Sequence, residues 1–175
     1  MRITIGGPPG SGKTTVAKLV SIQVGFKHIY TGEIFRTLAK EKGLSLEDFS
    51  KLAENDYSID IEVDKRQKEL GQQENIVLEG RMARFMIIPD FSIWVTAPFD
   101  TRVNRLAQRE NLPYQEVYKN TKLREESERN RYQKIYNVDI YNLSAYDLVI
   151  NSAHWNAEGV SQIIVAAIRN RSPVP

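Results

Sequence analysis

The chain has 175 residues, of which 41% are hydrophobic and 26% charged; these values suit one folded domain and exclude a disordered polymer or a membrane-spanning protein. The 24 basic and 22 acidic residues leave a net charge of +2 and there is no cysteine, which excludes binding to nucleic acid or membranes by bulk charge, disulfides and thiol chemistry. Residues 1–15 hold four Gly and two Pro in place of an apolar signal core, so a cytoplasmic location is expected.

Apolar runs rich in β-branched residues alternate with helix-compatible stretches along the chain. In chain order we predict a strand at 2–6, a helix at 13–24, a strand at 27–30, helices at 32–42, 45–54 and 59–70, strands at 75–79 and 91–97, a helix at 113–136, a strand at 146–151 and a helix at 156–169. Five short apolar strands separated by helices indicate an α/β fold with a parallel sheet covered on both faces.

Polar and flexible residues predict where several of these helices begin and end. Thr31 is the predicted N-cap of the helix at 32–42, which ends before Gly43. Ser45, with Asp48 three residues later, predicts the start of the stretch that runs to about residue 54. Residues 172–175 read S-P-V-P, which is typical of a frayed tail.

A phosphate-binding motif follows the first predicted strand. The pattern G-x-x-x-x-G-K-[ST] is matched by Gly7, Pro8, Pro9, Gly10, Ser11, Gly12, Lys13 and Thr14. Glycines let the backbone turn its N–H groups inward, and the helix that follows adds the positive end of its dipole. Lys13 adds a mobile charge for the β- and γ-phosphates, and the Thr14 hydroxyl suits Mg²⁺. A turn that matched by chance would need neither the Lys-Thr pair nor the flanking strand and helix.

This motif occurs in GTPases, motors and small-molecule kinases, so it does not by itself name a reaction. The N-K-x-D pattern that reads guanine is absent from the sequence. A length of 175 residues also leaves little room for the additional elements of a motor. A small kinase is therefore the favoured class.

Arginines outside the motif are candidates for a second anion site. Arg36 follows the second strand, Arg81 follows the third, and Arg66 lies in the helical stretch between them. Arg124, Glu128 and Arg131 share one helix face at about 100° per residue. Arginine suits this role because its planar guanidinium binds phosphoryl oxygens bidentately. A solvated charged face would show the same spacing, but the motif upstream favours a binding role.

The motifs, in their order, resemble those of the nucleoside monophosphate kinases and most closely the short, archaeal-type cytidylate kinases. The resemblance rests on residues 7–15, 31–36 and 78–81, the stripe of Arg124, Glu128 and Arg131, and the strand at 146–151. It implies one P-loop kinase domain over residues 1–175, with a fold like that of adenylate kinase. Within it, a helical acceptor-binding insertion lies at about 31–66 and a short lid at about 111–132.

The resemblance also implies roles for individual residues. It assigns the acceptor phosphate to Thr31, Arg36, Arg66 and Arg81, and the transferring group to Lys13, Arg124 and Arg131, with Glu128 positioning the arginines. It assigns ATP to residues 7–15, including Thr15, to Arg105 and Arg109, and to the turn at 153–157 beside the adenine. Arg105 and Arg109, four residues apart, equally suit the polar side of an amphipathic helix.

Base recognition is the point at which the sequence departs from the resemblance. Bacterial cytidylate kinases follow the strand-three arginine with an acidic residue that reads cytosine, whereas Met82 follows Arg81 here. Asp60 or Asp64 could take this part, although exposed helix carboxylates are the favoured interpretation of both.

Four other residues are expected to have supporting roles. Glu79 is expected to orient Mg²⁺ through water, or else to anchor a lid or phosphate-loop residue. His28, Trp94 and Trp155 are expected to serve in packing or at edges, without chemistry.

The implied reaction is transfer of the γ-phosphoryl group of ATP, with Mg²⁺, to CMP or dCMP by a protein expected to act as a monomer. Two alternatives stay open. The acceptor could be AMP, UMP or a non-nucleotide, or the chain could be a nucleotide-responsive binding protein, acting on RNA, with little turnover. ADP release measured against a panel of acceptors separates these three.

Overall fold

The computed structural model describes residues 1–45, 48–49, 52–53 and 56–171. Five strands form one sheet in the order β2-β3-β1-β4-β5, and all neighbouring strands are parallel. The strands are β1 (Arg2–Gly6), β2 (Lys27–Tyr30), β3 (Ile76–Glu79), β4 (Phe91–Thr96) and β5 (Leu148–Asn151). The predicted five-stranded parallel sheet is confirmed.

Helices flank the sheet on both faces. Those whose bounds lie within the described residues are α1 (Lys13–Val24), α2 (Thr31–Glu41), α3 (Tyr57–Leu70), α4 (Ala83–Met86), α5 (Phe99–Glu110), α6 (Tyr114–Tyr136) and α7 (Ala157–Arg169). Short 3₁₀ turns at Leu143–Ala145 and Ser152–His154 flank β5. None of the helices in the described ranges is long and apolar enough to cross a bilayer.

The predicted helix boundaries hold to within one or two residues, except for the helix predicted at 45–54. Residues 46–47, 50–51 and 54–55 of the helix predicted at 45–54 lie outside the described residues, as does the tail at 172–175. The contact expected between Ser45 and Asp48 is present, because the Asp48 amide donates to Ser45 Oγ at 3.0 Å.

The strands bury side chains on both faces, which explains their continuous apolar runs. Along β3, Ile76 and Leu78 pack into a core with α2, α3 and α4, whereas Val77 faces a second core with α1 and α7. This alternation is the two-residue period of a strand between two layers.

The prediction that Thr31 is an N-cap is wrong. Thr31 is the first residue of α2, and Tyr30 occupies the capping position. The Thr31 hydroxyl donates instead to the carbonyl oxygen of Glu79 at 2.6 Å. This bond ties the start of α2 to the end of β3.

The strand order places the predicted phosphate loop beside a crevice at one edge of the sheet. The chain leaves β1 for β2 on one side, and it leaves β4 for β5 on the other. Between β1 and β4 the direction of winding therefore reverses, and ligands of open parallel sheets bind in the crevice that forms there, at the carboxyl ends of the strands. The predicted phosphate loop follows β1 at this edge.

Candidate active site

The loop between β1 and α1 has a backbone that only glycine adopts easily. Gly10 and Gly12 have φ angles of 75° and 85°, in the left-handed region that side chains disfavour. At Gly7, a Cβ would collide with the carbonyl oxygen of Val95. The loop thus wraps closely against β4 and leads directly into the N-terminus of α1, an arrangement that directs amide groups at a bound anion.

Lys13 begins α1 within a group of buried charges. Burial and the positive charge of Arg81 lower its pKa to about 8, and the carboxylates of Glu79 and Glu128 oppose this shift only in part. The ammonium group of the free protein therefore lies in an environment that lacks sufficient negative charge. A bound polyphosphate would supply that charge.

ATP binding is expected to take up a proton at about pH 8.5, because phosphate raises the pKa of Lys13 back towards its ordinary value. ATP affinity should accordingly fall as the pH rises above 8. Titration calorimetry at about pH 8.5 in two buffers of different ionisation enthalpy measures the proton uptake. Lys13→Met should lose it, whereas the variant Lys18→Met, at an exposed position of α1, should retain it. Equal uptake by the wild type and Lys13→Met would contradict the assignment.

Glu79 is fully buried at the end of β3 and links the phosphate loop to β2. Its Oε1 accepts a hydrogen bond from Thr14 Oγ1 at 2.7 Å, and its Oε2 lies 3.1 Å from His28 Nε2. The His28 ring therefore contacts the same carboxylate that accepts from Thr14, in addition to its expected packing. Of the two interpretations of Glu79, the contact to Thr14 matches the anchoring of a phosphate-loop residue.

A buried carboxylate on α6 joins two of the predicted arginines. Glu128 forms ion pairs with Arg81 and with Arg124, the latter at 3.0 Å from Arg124 Nε to Glu128 Oε1. Of the three predicted stripe residues, Glu128 and Arg131 face inward, whereas the Arg124 side chain is 60% exposed. Arg131 pairs with Asp60 of α3, at 3.4 Å, and not with Glu128. Glu128 therefore fixes Arg124 relative to Arg81, and the expectation that it holds Arg131 as well is wrong.

Two acidic residues of α3 face inward against α6, which corrects the interpretation of them as exposed. Asp64 is 6% exposed, and its Oδ2 accepts a hydrogen bond from the Tyr136 hydroxyl at 2.6 Å. Burial raises the pKa of Asp64 to about 6 and also raises that of Asp60. Their spacing of four residues places both on the face of α3 that packs against α6.

Asp64→Asn is expected to raise the free energy of unfolding at pH 7 by about 2 kcal/mol. The pKa of Asp64 is higher in the folded protein than in the unfolded chain, so its burial penalty is present above about pH 6 and disappears as the carboxylate is protonated. Asparagine removes the charge and keeps an acceptor for Tyr136. Denaturant unfolding between about pH 7 and pH 4 measures the gain, which should shrink on acidification. A gain that stays constant over this range would contradict the assignment.

Glu62→Gln is the matched control for this variant. Glu62 is an exposed carboxylate of the same helix, paired with Lys42 at 3.1 Å. Its replacement is expected to change the free energy of unfolding by less than about 0.5 kcal/mol at either pH.

Three of the predicted site arginines contact residues away from Arg81 and Glu128. Arg36 is exposed and stacks on the Tyr30 ring at 5.2 Å. Arg66 forms a bidentate pair with Glu41 at 3.0 and 3.1 Å. Arg109 pairs with Glu110 on the exposed side of α5. The structure thus does not bring Arg66 and Arg109 together with the buried cluster, which consists of Glu79, Arg81 and Glu128 beside Lys13. Acidic neighbours on the surface bind both arginines instead.

A cleft of about 300 Å³ lies beside the phosphate loop. Arg105 reaches into its wall and donates to Ser152 Oγ and Ser152 O, both at 2.9 Å. Ser152 Oγ in turn donates to the carbonyl oxygen of Ser11 at 2.8 Å. The cleft is lined by Ser11, Gly12, Thr15, Val16, Arg105, Ser152, Trp155, Asn156, Ala157 and Val160. Its size and mixed lining suit a nucleoside.

The two tryptophans differ in position. Trp94 is 2% exposed and belongs to the core, as predicted. Trp155 is 54% exposed, as expected of an edge residue, and it lines the cleft. It offers a flat apolar surface within the predicted turn at 153–157.

Sequence reasoning missed Arg102, Gln67 and Tyr136. Arg102 is buried and contacts the phosphate loop through the carbonyl oxygen of Pro9 at 3.0 Å. Gln67 is fully buried and donates to Thr31 Oγ1 at 2.8 Å. No local pattern marked these residues, because their partners lie far away in the sequence.

The five-stranded parallel sheet, with the phosphate loop at its carboxyl edge between β1 and α1, defines a P-loop kinase fold. A family model described as the cytidylate kinase-like family matches residues 2–154, and the chain belongs to this family. It is 46% identical over 175 residues to the cytidylate kinase of Methanocaldococcus jannaschii, covering 97% of this chain and 98% of the relative. It is 50% identical over 169 residues to that of Methanocella arvoryzae, covering 96% and 97%.

Solved structures of low sequence identity show the same fold. A shikimate kinase from Acinetobacter baumannii in complex with shikimate superposes with a TM-score of 0.63 at 16% identity, covering 98% of this chain and 94% of that chain. An uncharacterized protein from Eubacterium ventriosum has a TM-score of 0.73 at 18% identity, covering 97% and 98%. At these identities the likeness concerns architecture alone.

Proposed function

We infer that the protein is an ATP-dependent kinase that transfers the γ-phosphoryl group of ATP to CMP or dCMP, giving ADP and CDP or dCDP. The observation that carries this proposal is the closeness of two sets of positive charge. Lys13 of the phosphate loop lies near Arg81, whose guanidinium is joined through Glu128 to Arg124. Identities of 46% and 50% to two cytidylate kinases, over nearly the whole chain, support CMP as the acceptor.

On the donor side, residues 7–15 would hold the polyphosphate, chiefly through inward N–H groups and the ammonium of Lys13. The neighbouring cleft suits the adenosine, with Trp155 as an apolar surface and Arg105 in its wall. Charge from Lys13 that follows the γ-phosphoryl group would stabilise the transition state. Arg109 would have to leave Glu110 to reach the same phosphates.

On the acceptor side, Arg81 would bind the monophosphate beside Thr31, and Arg36 would join it after leaving the Tyr30 ring. The acceptor oxygen is already anionic at neutral pH, so no general base is required, and the site works by positioning and by charge neutralisation. Arg124 and Arg131 would neutralise the transferring group, and Glu128 would keep Arg81 and Arg124 apart at a fixed distance. Arg66 would join this set only after release from Glu41.

Thr14 and Glu79 fit the magnesium that ATP brings. When the Thr14 hydroxyl donates its hydrogen to Glu79 at 2.7 Å, its oxygen lone pairs remain free for a hard cation. Glu79 is fully buried, so it would act by orienting Thr14 and water. Bound Mg²⁺ would supply neutralisation of the β- and γ-phosphate oxygens.

The insertion at about 31–66 and the lid at about 111–132 would close over the two substrates. Residues of both segments already meet, since Asp60 contacts Arg131. Closure would exclude water and so prevent hydrolysis of ATP. The reaction needs no second copy of the chain, so we propose that a monomer performs it.

The test is ADP release from ATP with CMP, dCMP, UMP, AMP and shikimate, each at several concentrations. CMP and dCMP should give a kcat/KM at least about tenfold above the other acceptors. A preference for AMP or UMP would overturn the choice of acceptor. ATP binding, seen as a change in Trp155 fluorescence, without release of ADP for any acceptor would indicate a nucleotide-binding protein instead.

A further inference from the structure

Arg102 is a buried arginine on the first turn of α5, outside the residues that contact substrates in the proposed reaction. Its side chain is 8% exposed, which is unusual for arginine and requires polar partners on every side. Nε donates to the carbonyl oxygen of Ala97 at 3.0 Å, and Nη1 donates to that of Pro9 at 3.0 Å. Both terminal nitrogens also face the carboxylate of Glu125, and the guanidinium stacks on Phe99 at 5.1 Å.

The contact with Pro9 concerns the shape of the phosphate loop. A loop that turns its N–H groups inward must turn carbonyl groups outward, and these need donors because buried carbonyls are rarely left unpaired. Arg102 supplies the donor for Pro9. The backbone of the same residue packs against Gly10, where an added Cβ would lie 2.5 Å from the Arg102 carbonyl oxygen. Arg102 therefore supports the outer side of the loop at two consecutive residues.

The contact with Glu125 concerns the position of α6. Glu125 directly follows Arg124 and precedes Glu128 by three residues, so the pair with Arg102 restrains the part of the helix that carries the buried ion pairs. Planar bidentate geometry restrains the position and the rotation of the helix more than a point charge would.

We propose that Arg102 is a positioning residue that fixes the phosphate loop and the helix α6 to each other, so that one guanidinium sets the distance between the donor phosphates and Arg124. This proposal rests on the proposed function, because it assigns the two ends of the contact to the donor site and to the transferring group. It concerns a residue that touches neither substrate.

Four variants and one control separate the two contacts. Arg102→Met removes both, and Arg102→Lys keeps the charge but can serve only one acceptor well. Glu125→Gln removes the charge from the contact to α6, keeps a neutral acceptor there and leaves the contact to Pro9. The double variant Arg102→Met/Glu125→Gln tests whether Glu125 acts through Arg102. The control is Arg129→Gln on α6, because Arg129 pairs with Asp139 at the surface at 2.7 Å.

Arg102→Met is expected to weaken ATP binding by about tenfold in equilibrium dialysis without acceptor and to lower kcat by about a hundredfold. Glu125→Gln should lower kcat by about tenfold with ATP affinity within about twofold of the wild type. Arg102→Lys should lie between the wild type and Arg102→Met, and Arg129→Gln should match the wild type. The double variant should have a kcat no lower than that of Arg102→Met alone.

A folded Arg102→Met variant with wild-type ATP affinity and kcat would overturn the proposal. So would a double variant in which the loss from Glu125→Gln multiplies that from Arg102→Met. If Arg102→Met fails to fold, Arg102→Lys and Glu125→Gln decide the matter, because both keep buried groups paired. A wild type that binds ATP but does not phosphorylate CMP contradicts the proposed function instead; the dialysis result then still decides whether Arg102 supports the loop.

Discussion

Lys13→Ala is expected to lower kcat for CMP phosphorylation by about a thousandfold. In the proposed reaction, the Lys13 ammonium group follows the γ-phosphoryl group, which gains charge on its outer oxygens during transfer. A half-buried lysine whose pKa is lowered to about 8 by burial is costly to keep in the free protein. Its removal should therefore not destabilise the fold, and the loss of rate cannot be attributed to unfolding.

Steady-state kinetics with saturating ATP and CMP measure the effect of Lys13→Ala, and thermal unfolding verifies that the variant is folded. Lys18→Ala is the control, because Lys18 is exposed on the same helix and its loss changes the net charge equally. It should retain the wild-type kcat. Retention of more than about a tenth of the rate by Lys13→Ala would contradict a role at the transferring group.

Arg81→Lys is expected to raise the KM for CMP by about tenfold and to lower kcat by about a hundredfold. Lysine keeps a positive charge beside Glu128, so the buried carboxylate stays paired and the fold is preserved. What the variant loses is the planar guanidinium, which can bind a phosphate bidentately while it contacts Glu128. The KM for ATP should change by less than about threefold, since the phosphate loop is intact.

The control for this variant is Arg84→Lys. Arg84 lies three residues further along, and its Nε donates to the carbonyl oxygen of Ala145 at 2.9 Å, away from the buried cluster. Kinetic constants close to those of the wild type are expected for it. An Arg81→Lys enzyme with an unchanged KM for CMP would show that the acceptor phosphate binds elsewhere.

The features that could be predicted from the sequence are those encoded by neighbouring residues. The phosphate loop is one continuous stretch, and its glycines indicate a backbone with positive φ angles that other residues disfavour. The strands were recognisable because a sheet covered on both faces requires unbroken apolar runs. The helix pattern likewise placed Glu128 of α6 beside Arg124.

The pairing of side chains across the fold could not be predicted in the same way. Helical spacing showed that Arg131 shares a face with Glu128, but its partner is Asp60, which lies 71 positions earlier. Asp64 looked like a surface carboxylate because nothing near it in the sequence indicates that Tyr136 covers it. Such contacts depend on how two helices pack, and many packings suit one apolar pattern.

Arg66 and Arg36 illustrate a second limit. Their positions match the pattern of the resembling family, yet in the structure each guanidinium is held by a residue outside the buried cluster, Glu41 or Tyr30. A long arginine side chain reaches several partners at similar cost, and ligand charge decides among them. Motif position therefore predicts which helix carries an arginine better than it predicts what the arginine contacts.

The most direct measurement follows the terminal phosphate itself. The protein is incubated with ATP labelled with ³²P at the γ-position, with Mg²⁺, and with or without CMP, and the products are separated. With CMP, label should accumulate in the β-phosphate of CDP, with little free phosphate, and without CMP almost no label should leave ATP. Label that appears as inorganic phosphate at the same rate with and without CMP would contradict transfer between two anions held in one site.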